Sequence, residues 1–85
     1  MKQFQYTVTI PGGIHARTTG RLATLAAGYS SAVTVLHGSA MANMRRPFDL
    51  LAMGVQQGQT ITVQAEGDDE AECIAALQQL FADTV

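Results

Sequence analysis

The sequence predicts an α+β fold in the order βαββαβα: an open-faced sandwich whose four-stranded, mainly antiparallel sheet carries three helices on one face and water on the other. Three observations lead there. Short segments alternate apolar and polar residues, two longer segments repeat apolar residues at helical spacing, and glycine or proline punctuates nearly every junction between them.

Residues 3–10 place Phe4, Tyr6, Val8 and Ile10 on one side and Gln3, Gln5, Thr7 and Thr9 on the other, the pattern of a half-buried strand. Pro11-Gly12-Gly13 ends it. From about Ala16, Leu22, Leu25 and Ala26 repeat at helical spacing as far as a stop at Gly28. Gly20 weakens this helix by roughly 1 kcal/mol relative to alanine, which reads as access gained over stability or as a close helix-sheet contact. Val33 and Val35 alternate within Ser31–Leu36, and His37-Gly38 signals a two-residue turn into a second hairpin strand ending at Asn43. His37, at the turn, reads as exposed and without chemistry. Pro47 suits the first position of a short helix over Phe48–Met53, closed by Gly54. Its Phe48/Leu51 and Leu50/Met53 pairs occupy different faces, so one pair anchors in the core and the other is left for a partner. A fourth strand alternates Ile61, Val63 and Ala65 with polar residues. Gly67-Asp68-Asp69-Glu70 then opens a last helix with acids at its dipole-favoured end. Ile74, Leu77 and Phe81, with Ala71 and Leu80, form the buried stripe of that helix, and Cys73 reads as a partly buried structural thiol. The order corresponds to a split βαβ arrangement with its middle helix shortened.

Eighty-five residues, 47% of them hydrophobic, suffice for a single domain, here taken as residues 1–85. One cysteine excludes an internal disulfide, and two histidines beside it do not cluster as a metal site; no metal and no cofactor are expected. No apolar run approaches the ~20 residues of a membrane span, so a cytoplasmic protein without membrane insertion is expected. A net charge of −2 argues against nucleic acid but hides a segregation: Lys2, Arg17, Arg21, Arg45 and Arg46 all precede position 47, and every acid lies from Asp49 onward.

The junction Gly12-Gly13-Ile14-His15-Ala16-Arg17-Thr18-Thr19 is the most informative stretch. A helix leaves its first N–H groups unpaired, and with the positive end of the dipole they form an anion site, here supplied by the backbone of Ala16, Arg17 and Thr18. His15 places an imidazole nucleophile beside them, and the Arg17 guanidinium suits phosphate oxygens. The combination points to an imidazole that carries or contacts a phosphoryl group. The Gly12–Ala16 and Arg45–Phe48 turns both feed helices and are expected at one edge of the fold.

Through Gly13-Ile14-His15-Ala16-Arg17, the Ala42-Asn43 to Leu50 segment with Met53-Gly54, and Ala65-Glu66-Gly67-Asp68-Asp69-Glu70, the chain resembles, over its whole length, the histidine-containing phosphocarrier (HPr) family of the phosphoenolpyruvate-dependent sugar phosphotransferase system. The resemblance implies an HPr-like fold and a phosphoryl group accepted on Nδ1 of His15 from phosphorylated Enzyme I. That group would pair with Arg17 and pass to a sugar permease subunit of the EIIA type. The chain would be a monomeric covalent carrier and not an enzyme. Gly20, Arg21, Thr24, Arg45, Arg46, Pro47, Phe48 and Leu51 would form the docking surface. Two positions depart from the family pattern. Thr18 replaces the proline common after the arginine, and Arg46 stands where many relatives carry a serine that a kinase phosphorylates, so that regulation does not carry over. The main rival is a non-catalytic binding module that docks the same partners without phosphotransfer. A small phosphohydrolase is disfavoured because no acid lies near the turn to serve as a base.

Overall fold

The computed structural model describes residues 1–85. Seven elements follow the expected order: β1 (Lys2–Thr7), α1 (Ala16–Ala27), β2 (Ala32–His37), β3 (Ala40–Asn43), α2 (Pro47–Ala52), β4 (Thr60–Glu66) and α3 (Glu70–Thr84). The sheet order is β1-β4-β2-β3, and all three pairings are antiparallel. Register follows the pleat. Phe4 lies opposite Val63, Tyr6 opposite Ile61 and Val35 opposite Val63, so one face is apolar throughout. The other face pairs Gln3 with Gln64 and Thr7 with Thr60, each through a 2.9 Å side-chain hydrogen bond.

The apolar face is covered by Leu22 and Ala26 of α1, Leu50 of α2, and Cys73, Ile74, Leu77 and Phe81 of α3, all buried. Phe81 is the hub. Its ring centroid is 5.5 Å from that of Phe4 and 5.2 Å from that of Tyr6, while the Tyr6 hydroxyl donates to the Phe81 carbonyl at 3.0 Å. Cys73 is wholly buried, more than its place beside the stripe suggested, and burial pushes its thiol up from the ordinary value. Ala71, expected to support the stripe, is exposed.

Three boundaries shift for physical reasons. The alternation over residues 3–10 identifies the buried side chains correctly, but ladder pairing stops at Thr7. Beyond it Val8 exchanges bonds with the turn before β4, through Gln59 and Gly58, and the Thr9 and Ile10 N–H groups both donate to the Val85 carbonyl. The hairpin turn is Gly38-Ser39, one residue later than expected. His37 therefore closes the ladder opposite Ala40 and is half-buried rather than exposed at the tip, while Gly38 supplies the φ of +61°. Ser31 lies outside β2 and is buried, because Asp69 claims it. The Asp69 carboxylate caps no amide of its own helix. It accepts from the Ser30 N–H at 2.8 Å, the Ser31 N–H at 3.0 Å and the Ser31 hydroxyl. These donors, the Ser31 hydroxyl foremost, hold its pKa at about 2.

Candidate functional site

Ile14, His15 and the first turn of α1 define the site. Ile14 is 5% exposed, and its N–H donates to the Val55 carbonyl at 3.0 Å, which ties the loop before α1 to the loop after α2. Gly13 makes that approach possible. Its φ is +73°, and a Cβ there would overlap the Val55 carbonyl oxygen and come within 2.7 Å of the Gln56 Cα. One residue past this anchor, His15 is exposed in the N-cap position with extended backbone, φ −122° and ψ −179°, and its side chain caps no amide. The His15 carbonyl accepts the first helical bond, from the Thr19 N–H at 3.0 Å. The N–H groups of Ala16, Arg17 and Thr18 bond no backbone carbonyl, so three donors at the positive end of a 12-residue helix stand beside the imidazole.

The threonines of this turn face inward. Thr18 and Thr19 are 4% and 2% exposed, and the Thr19 hydroxyl donates to the Ala16 carbonyl at 2.8 Å. Ala16 and Arg17 face out. The molecule's two ion pairs are Met1–Glu70 and Arg46–Asp49, which leaves the exposed Arg17 and Arg21 without a carboxylate partner. Gly20 makes no close helix-sheet contact, since a Cβ added there meets nothing within 4 Å. Of the two readings of that glycine, open access is the one the geometry favours.

On α2 the division of faces is sharp. Leu50 is 1% exposed and Met53 half-buried, whereas Phe48 is 85% and Leu51 37% exposed, so the second pair is the one left free. Pro47 occupies the first helical position and Arg46 the N-cap, with Arg46 Nε 3.3 Å from Asp49.

Two expectations need correction. The Arg45–Phe48 turn does not share an edge with His15. Val55, just past α2, sits beside Ile14, whereas Arg45, just before α2, reaches the other end of α1; α2 therefore runs back along α1. Arg45 itself is not free for a partner beside His15. Its Nε donates to the Ala26 carbonyl at 3.3 Å, and its terminal nitrogen donates to the carbonyls of Tyr29 and, at 3.2 Å, Ser31. The guanidinium thus satisfies carbonyls at the C-terminal end of α1, roughly 18 Å along the helix from His15. Conversely, Val55, whose carbonyl holds the Ile14 N–H, positions the site and was absent from the expected docking set; the only signal in the sequence was the glycine before it, read as the end of the short helix.

Fold, exposed N-cap histidine and free helix-end amides together define an open-faced sandwich with an imidazole at an anion-accepting helix entrance. The family described as "PTS HPr component phosphorylation site" matches residues 2–83. The phosphocarrier protein HPr of Mycoplasma capricolum is 33% identical over 84 residues, covering 99% of this chain and 94% of that protein. The solved histidine-containing phosphocarrier protein of a Mycoplasma superposes with a TM-score of 0.95 at 32% identity, over 98% of this chain and 94% of that one. A part of the phosphoryl donor subunit DhaM of the PEP-dependent dihydroxyacetone kinase from Providencia stuartii is 36% identical over 76 residues, or 89% of this chain and 16% of that protein. The chain belongs to the HPr phosphocarrier family of the phosphotransferase system.

Proposed function

We propose that His15 accepts a phosphoryl group on Nδ1 from phosphorylated Enzyme I and passes it to an EIIA-type sugar permease subunit, acting as a monomer in the cytoplasm. The observation that carries this reading is the exposed imidazole in the N-cap position beside the unpaired N–H groups of Ala16, Arg17 and Thr18. The Nδ1 lone pair attacks phosphorus as the bond to the donor breaks and its electron pair leaves with the donor. Helix-end donors and the Arg17 guanidinium then hold the transferred oxygens, each contact contributing on the order of 1 kcal/mol. Because the site is open, the phosphoryl group stays accessible to the next acceptor. Deep burial would stabilise it but bar the hand-over.

Docking on this reading uses Arg17, Gly20, Arg21 and Thr24 of α1 with Arg46, Pro47, Phe48 and Leu51 around α2. An exposed phenylalanine together with exposed arginines suits an apolar partner surface with acidic margins. The test is incubation with phosphoenolpyruvate and Enzyme I. Acid-labile phosphate should appear on the wild-type chain and vanish in His15→Ala. Absence of label on the wild type, with Enzyme I binding intact, would instead establish the non-catalytic docking module.

A further inference from the structure

A groove opens between α1 and α3. Arg17, Gly20, Arg21, Thr24 and Leu25 line one side and Leu80 the other of this shallow groove, which is broadly open to solvent and has a volume of ≈ 550 Å³. Leu25 and Leu80 are half-buried against the core and give the groove an apolar floor. At Gly20 the helix presents no side chain, so the space beside it stays open. Arg17 and Arg21 stand one turn apart, about 6 Å along the axis, and neither has a carboxylate partner. Like charges four residues apart and a glycine between them both weaken a helix. This stretch of α1 is therefore poorly arranged for stability, and well arranged for a ligand that brings negative charge at one end and apolar surface at the other.

We propose that this groove binds a small organic phosphate monoester, with its phosphate across the Arg17 and Arg21 guanidinium groups and its apolar body on Leu25 and Leu80. A dianion suits two guanidinium forks better than a carboxylate does, and the volume lies within the range of small-molecule sites. Occupancy engages Arg17, so the ligand competes with phosphoryl transfer at His15. That consequence rests on the carrier reading; the binding itself does not.

The test is an NMR titration of amide shifts of this chain alone with phenyl phosphate, in parallel with inorganic phosphate and with phenol. Phenyl phosphate should shift Gly20, Arg21, Thr24, Leu25 and Leu80 saturably and bind roughly tenfold tighter than either fragment. Gly20→Val, which fills the groove, and Leu80→Gln, which makes its floor polar, should each weaken binding several-fold. His15→Ala should leave it unchanged, which separates this site from phosphoryl acceptance. Equal response to inorganic phosphate with shifts confined to residues 15–18, loss of binding in His15→Ala, or undiminished binding in Leu80→Gln would overturn the proposal.

Discussion

Ile14 is sunk in the core while His15 stands in solvent, so a single peptide unit separates an anchor from a reactive group. This spacing gives the imidazole a fixed origin without enclosing it, and it is on the carrier reading that the group is reactive. Arg17 is the side chain most exposed to test on the carrier reading. Loss of a charge-assisted contact is worth about 1.5–3 kcal/mol, so Arg17→Ala should lower kcat/KM for phosphoryl transfer from Enzyme I roughly 10- to 100-fold. Arg17→Lys should recover only part of that, since a point charge lacks the guanidinium fork. Asp69 makes a different residue-scale prediction. Its three donors from Ser30 and Ser31 hold the folded-state pKa at about 2, below the ordinary 3.8. A depressed carboxylate stabilises the fold fully above its unfolded value and loses that contribution as pH falls through the folded one. Denaturant midpoints of the wild type should therefore fall between about pH 4 and pH 2, and Asp69→Asn should start less stable and lack this part of the dependence.

At the scale of elements, two glycines in and just before α1 sit in environments of opposite sign. Gly13, in the loop before it, has φ +73° and lies against the Val55–Gln56 backbone. Gly13→Ala should destabilise by at least ~2 kcal/mol, because strain in a left-handed position adds to a backbone overlap that cannot relax cheaply. Gly20 has helical φ and open space, so Gly20→Ala should raise stability by up to ~1 kcal/mol. Thermal melts of the two variants give the comparison directly. The short α2 helix divides its labour by face: Leu50 holds it to the core while Phe48 is left in solvent. Phe48→Ser should change stability by no more than ~0.5 kcal/mol. If Phe48 is the apolar anchor of the docking surface, the same change should weaken Enzyme I binding roughly five- to tenfold, measurable by calorimetry.

For the whole molecule, net charge is a poor guide to behaviour at the site. The chain carries −2 overall, yet Arg17, Arg21 and Arg46 lie exposed on α1 and at the start of α2. On the docking reading, association with Enzyme I should slow several-fold as ionic strength rises from low to ~0.5 M, the signature of local attraction to the arginines despite the chain's net negative charge. The clamp at the opposite end of α1 explains how the helical layer closes on the sheet. Arg45 satisfies carbonyls of α1 and the following loop, and Asp69 binds the same loop from the start of α3. Element order, the apolar face of each strand, the break between Leu50 and Phe48 and the placing of His15 at a helix entrance were all legible in the sequence. Each depends on periodicity or on the chemistry of a few adjacent residues, and such local preferences act before any distant contact forms. Tertiary structure alone decided that α2 runs back along α1, that Arg45 serves the far end of that helix, and that Asp69 reaches Ser31. Long or charged side chains choose among unsatisfied groups tens of residues away, and only the packed chain determines which of those groups are within reach.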